Sequence, residues 1–328
     1  MLVYLAKRLG ITLVLLFVLS AIIFFLQSIS PGDPVRAYLG ANASPAAVAA
    51  ERHRLGLDQP VLAQFGRFLA GVVRGDLGLS FRTHRPVTTD LASFLPATVE
   101  LVLSAFVLAL LLAIAFAFSA ALRWPASGVY RGILLIGATA PPFLLAIGGI
   151  VLFYQQLGWL PASGRGPDDP GPTGLLLIDT LAHGDGVGFA DALQHLLLPA
   201  LVLAIAPAIS IGRILRSSLE STLTADYVRT ARSKGLREGR VLLSHVVRNS
   251  IGPAISMSGL QLGFMFAGVV VVEQVFSWPG MGNYLASSIP VSDFPAIAGV
   301  TLVLGTIYIV TNAVVDLLQA AADPRIVA

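Results

Sequence analysis

The sequence predicts an all-α integral membrane protein of about six transmembrane helices, with a sizeable external segment between the first helix and the second. Composition is the first of three observations behind this. Of 328 residues, 55% are hydrophobic and only 12% charged, and mean hydropathy is +0.81. A soluble domain of this length carries roughly twice that charged share, so lipid must cover much of the surface. The second is a set of six apolar stretches near the ~20 residues needed to cross a hydrocarbon core. The third is a bias of arginine toward alternate connections.

Taken in order, Lys7 and Arg8 precede an apolar run over 9–29. That run exceeds the ~7–15 residues of a signal-peptide core, and no small-x-small site closes it, so it reads as an uncleaved signal-anchor helix. The first unit is therefore 1–29. A polar segment, 30–96, follows as the external part, long enough for short helices of its own. Further spans are expected at 97–122, 132–157, 196–216, 251–272 and 296–316. They form a five-helix core over 97–316 with a tail at 317–328. Pro141, Pro142, Pro199 and Pro207 fall inside these spans and predict kinks. Gly259 and Gly263 make a G-x-x-x-G on the fifth, read as close helix packing.

Charge orients the set. The connection 123–131 has two arginines and no acid. The connection 217–250, with Arg213 and Arg216 at its edge, has eight basic residues against three acidic ones. On the other side, 158–195 has Arg165 against five aspartates, and 273–295 has no basic residue. Both chain ends are therefore expected in the cytoplasm. The net charge of +3 follows from this distribution and does not point to nucleic acid.

Several chemistries lack their residues. With no cysteine there is no disulfide, Fe–S cluster or thiolate nucleophile. The two lysines, Lys7 and Lys234, sit in Ala-Lys-Arg and Ser-Lys-Gly, so neither can be the lysine of a phosphate-binding loop. The one G-x-S, Gly78-Leu79-Ser80, is followed by Phe81 and Arg82 rather than completing a nucleophile elbow. The five histidines (His53, His84, His183, His195, His245) are scattered, and no H-E-x-x-H occurs. No catalytic, cofactor or metal site is assigned. Ion-coupled carriers hold ionisable groups deep in the membrane. Glu100, Arg213, Arg216 and Asp316 are expected near span ends, leaving Gln261 and Asn312 as interior polar groups. A secondary carrier, and a membrane scaffold or enzyme, stay as the alternatives to a transport subunit driven by another chain.

The connection from Asp226 to Pro253 is the most informative. It reads as a short helix, a break at Gly235, and a second amphipathic helix. Leu219, Leu223 and Tyr227 recur at i, i+4, i+8, and Val241, Leu242, His245 and Val246 continue an apolar face after the break. Gly235 suits a left-handed C′ position that reverses the chain. Two short helices about a glycine fit a rigid protrusion for a partner's groove better than a patch touching lipid phosphates.

The stretch DYVRTARSKGLREGRVLLSHVVRNSIGP resembles the EAA loop of binding-protein-dependent ABC importer permeases, in its peptide and nickel version. Aligning Gly235 on the glycine of that motif puts Arg229-Thr230-Ala231 on its Glu-Ala-Ala positions. Only Ala231 is kept, and the usual acid is absent at Arg229, with Asp226 the nearest substitute. Seven further pieces stand in family order: SPGDPVRAYLG, RLGLDQP, GDLGLSF, LGWLPASG, HLLLPALVLA, EQVFSWPGMG and DPRI. The long first external segment and short N-terminal tail resemble the B-type subunit of dipeptide and oligopeptide importers.

The resemblance implies a type I ABC importer transmembrane domain. It would work with a second, C-type permease, two cytoplasmic ATPase domains that bind the ATP and magnesium, and an external substrate-binding protein delivering peptide. In that arrangement 224–235 is the coupling helix, with Asp226, Tyr227, Thr230, Ala231 and Gly235 as the ATPase-coupling residues and Ala231 facing the partner's cleft. Phe276, Trp278, Pro279 and Gln261 become candidates for pore or cap. For the FSWPGMG turn, a contact with the pore or binding protein and a purely structural cap weigh equally.

Overall fold

A computed structural model describes residues 2–29, 34–40, 42–121, 127–167 and 171–322. The DPRI stretch, the first four residues of SPGDPVRAYLG and the first four of the 123–131 connection lie outside the described residues. Among those described there are α-helices, two π-helical stretches and one isolated bridge between Leu79 and Pro86.

Helix α1 spans Leu2–Ile29. Short helices α2 (Pro34–Leu39), α3 (Pro45–Arg54) and α4 (Val61–Arg74) follow in the external segment. Helix α5 (Val87–Ala121) starts ten residues ahead of the expected span, because Val87 and Leu91 are apolar and buried at its N-terminal end. The expected straight third span is instead α6 (Ser127–Thr139) and α7 (Pro142–Gly149), the latter continuing as π-helix to Gln156, with a bend of 118° between them. Pro141 and Pro142 cause it. Neither has an amide hydrogen to extend α6, and Pro141 is held extended at ψ 141°.

The short α8 (Leu176–Ala182) leads into α9 (Gly186–Leu223), which runs through Pro199 and Pro207 without a break. Both prolines are buried, so neighbouring helices surround the positions where amide hydrogens are missing. Helix α10 (Asp226–Ser233) is the short one before Gly235. The expected second short helix does not stand alone: α11 (Glu238–Val241) passes through π turns at Leu242–Val247 directly into α12 (Arg248–Val275). Helices α13 (Met281–Ser288) and α14 (Phe294–Ala322) complete the chain.

Among the described residues five helices are long and apolar enough to cross a membrane, or six where the bent α6–α7 pair counts as one span. The most extensive packing is α5 along α9, followed by α12 on α9 and α12 on α14. One core gathers Leu101, Ala105, Leu198, Met265, Phe276 and Trp278 toward one end of the bundle. Another gathers Ala113, Leu215, Leu219, Val228, Ala231 and Val246 at the other. The G-x-x-x-G packs as expected: a β-carbon on Gly259 would collide with Val315, and one on Gly263 would lie 2.7 Å from Tyr308. Arg8 near the start of α1 forms an ion pair with Asp316 near the end of α14. The first and last helices therefore have their terminal ends on one side of the membrane, as an even number of crossings requires.

Candidate coupling surface and outer closure

Helix α10 is short, and a helix of eight residues does not hold itself together in water. Its apolar residues Val228 and Ala231 are fully or nearly fully buried, packed with Ile211, Leu215, Leu219, Val241 and Val246. Its end is closed by a Schellman arrangement. Gly235 takes φ +74°, its N–H donates to the Arg232 carbonyl at 2.9 Å, and the Leu236 N–H donates to the Ala231 carbonyl at 3.4 Å. Arg232 then straddles the turn to Glu238, with Nη2 2.5 Å from Oε1. At the root, the buried Ser250 hydroxyl donates toward α9, 2.9 Å from Thr222 Oγ1 and 3.2 Å from the Ser218 carbonyl.

This geometry corrects one expectation. Ala231 faces the chain's own core rather than a partner, because a small side chain is what lets α10 sit close on α9 and α12. The surface turned outward carries Asp226, Tyr227, Arg229 and Thr230. Asp226 and Arg229 are almost fully exposed, 3.8 Å apart. The Thr230 hydroxyl donates back to the Asp226 carbonyl at 2.9 Å. Tyr227 is 47% exposed, a large ring left in the open on a firmly seated protrusion.

At the opposite end the FSWPGMG turn is built inward. Phe276 and Trp278 are buried, Pro279 is exposed, and Gln261 is half-buried one turn from Met257 on α12. Trp278 Nε1–H donates to the Ala97 carbonyl at 2.9 Å. The fully buried Glu273 carboxylate accepts from Thr98 Oγ1 at 2.6 Å, from Gly282 N–H at 2.7 Å and from Asn283 N–H at 3.1 Å. Gly280 and Gly282 wrap this carboxylate so tightly that a β-carbon on Gly282 would lie 2.6 Å from the Val270 Cα. For Phe276 and Trp278 the structure thus favours the purely structural cap.

Four other buried acids, of which only Glu100 was singled out from sequence, organise the same end. Glu100 pairs with the buried Arg165 at 2.5 Å and accepts the Leu177 N–H at 2.7 Å. The Arg165 guanidinium also lies 5.7 Å from the centre of the Trp278 ring. Asp293 accepts from the Ser80 hydroxyl and from Arg82 N–H at 3.1 Å. Asp90 accepts from Thr83 Oγ1 at 2.5 Å and from the Tyr284 hydroxyl at 2.9 Å. Burial pushes the Tyr284 phenol up to about 12, and the neighbouring Asp90 charge adds to it. Asp179 accepts from Thr173 Oγ1 at 2.8 Å. The available signal was a lone carboxylate in an otherwise apolar or Gly-rich run, which demands an internal partner.

The chain matches the family model for the binding-protein-dependent transport system inner membrane component over residues 105–328. It matches the N-terminal model of such membrane components over 1–102. It is 43% identical to a probable D,D-dipeptide transport system permease of Escherichia coli, over 93% of this chain and 92% of that one. A dipeptide transport system permease of Alkalihalophilus pseudofirmus is 36% identical, with 99% of each chain covered. A glutathione transport system permease of Escherichia coli is 37% identical at the same coverage. The chain belongs to this family: it is a multi-pass inner-membrane permease component of a binding-protein-dependent importer, homologous to the B-type subunits.

Proposed function

We propose that the chain forms half of a translocation pathway for di- or oligopeptides, and that α10 couples it to ATP hydrolysis in another subunit. Its companions are a second, C-type permease, two cytoplasmic ATPase domains holding ATP and magnesium, and an external binding protein that delivers the cargo. The end bearing α10 and both chain termini faces the cytoplasm, which the excess of arginine there supports. The division into 1–29, 30–96, 97–316 and 317–328 follows the same scheme.

The observation that carries this reading is the outward surface of Asp226, Tyr227, Arg229 and Thr230 on a helix seated by Val228 and Ala231. A lever must be rigid to transmit force. Closure of the ATPase pair would draw two such helices together and swing the bundles from inward-open to outward-open, a rigid-body alternation. Peptide cargo is supported by relatives named for short peptides and glutathione. An ion-coupled carrier is less well supported, since Asp90, Glu100, Asp179, Glu273 and Asp293 each have hydrogen-bonding partners within the chain.

Co-purification of ATPase with the permease pair tests it. Tyr227→Asp should lose the ATPase at equal expression, whereas Arg237→Gln with Arg240→Gln, beyond the glycine, should keep it. The reverse order would mean that the basic loop serves lipid phosphates, where each arginine contributes about 1 kcal/mol.

A further inference from the structure

Helix α4, Val61–Arg74, belongs to a segment read as external, yet its composition is that of a membrane helix. At 100° per residue its polar side chains, Gln64, Arg67 and Arg74, share one stripe about 80° wide. The remaining three quarters of its circumference is apolar or small. Only part of that surface is used inside the chain. Phe65 stands 5.8 Å from Phe17 and 5.3 Å from Phe24 of α1, between ring centres, and Phe68 stands 5.7 Å from Phe24. Phe68 and Val72 also pack around Ile23, Ala298 and Leu302.

Those contacts set the level of α4. Phe17 and Phe24 lie ten and three residues before the outer end of the α1 apolar window at Gln27, about 5–15 Å into the membrane at 1.5 Å per residue. The polar stripe faces the loop that precedes the helix. Gln64 donates to the Leu57 and Gln59 carbonyls at 3.2 and 2.8 Å, and Arg67 to the Gly56 carbonyl at 2.5 Å. Opposite that stripe Leu62 and Val73 are 77% and 86% exposed.

We infer that α4 is an in-plane helix set in the outer leaflet, with Leu62, Gly66, Ala70 and Val73 against acyl chains and Arg67 and Arg74 at headgroup level. A helix apolar on most sides, with a narrow cationic stripe under a polar loop, fits an interface and not bulk water. The helix rests on Phe17, Phe24 and Phe25, inside the membrane-crossing window of α1, so lipid is the occupant of its exposed apolar face. The external segment is thereby moored to the bilayer at a second point, next to α1.

The absence of cysteine makes the test direct. Single Leu62→Cys, Val73→Cys and Gln59→Cys variants carry an environment-sensitive NBD fluorophore, in vesicles of phosphatidylethanolamine and phosphatidylglycerol. Doxyl-labelled phospholipid should quench positions 62 and 73 by roughly half, as for a helix buried ~5–10 Å into the interface, and iodide should not reach them. Position 59 should show the opposite. Iodide quenching at 62 and 73 overturns the proposal. So does shielding from both quenchers that disappears when the chain is reconstituted alone, because a protein subunit would then be the cover.

Discussion

At Gly235 the backbone lies at φ +74°, and nothing stands within 4 Å of where a β-carbon would go. Space is therefore not the constraint there; conformation is. Gly235→Asn, which tolerates the left-handed region, should keep most transport. Gly235→Val should cost the turn about 1–3 kcal/mol and uncouple ATP hydrolysis without unfolding the bundle. Stimulated ATPase activity of the two variants in the same reconstituted complex checks this, and equal activity would show that the reversal is dispensable. Glu273 presents the opposite constraint, a buried carboxylate accepting from Thr98 and two backbone amides. Glu273→Gln keeps the volume but turns one acceptor into a donor facing donors. The expected loss is about 1–3 kcal/mol, read as a lower melting temperature in detergent.

Among the elements, α10 has two faces with separate duties, and substitutions should separate them. Ala231→Trp forces a large ring between α10 and the core of Leu215, Leu219 and Val246, so it should lower stability by about 1–3 kcal/mol. Tyr227→Asp touches only the outward face and should leave the melting temperature unchanged. Thermal unfolding of the purified permease distinguishes them; a stable Ala231→Trp variant would mean that α10 is not seated as described. Gly235 made the stop of α10 legible in the sequence, but the expected apolar face of Leu219, Leu223 and Tyr227 did not form: the first two belong to the end of α9, and Tyr227 lies on α10 with its ring exposed. The sequence did not reveal which side Ala231 takes, because a small residue suits a tight internal seat and a tight external one equally. The run of six apolar stretches was equally plain. The 118° bend was written only as two prolines, whose effect depends on what packs beside them. Least legible was the outer end, where Arg165 and Glu100 lie 65 positions apart and Ser80 and Asp293 lie 213 apart. Pairing at such distances leaves no local periodicity to read.

Across the whole molecule, the pinned closure and the seated helix α10 lie at opposite ends, joined by the long helices α9 and α12. The Gly164 N–H donates to the Phe276 carbonyl at 2.9 Å, so the 158–167 and 273–282 turns share the outer face. Cysteine at Ser163 should thus react with an impermeant thiol reagent on intact cells, and cysteine at Ser233 only after permeabilisation. Labelling of position 233 from outside would invert the molecule. The central claim is that the outward face of α10 is the contact through which an ATPase subunit drives the pore. Placing a benzophenone amino acid at 227 and, separately, at 231 in the assembled transporter tests it most directly. Illumination should give a covalent adduct with the ATPase from 227 and none from 231. An adduct from 231 in place of 227, or lipid as the only partner of 227, would contradict it.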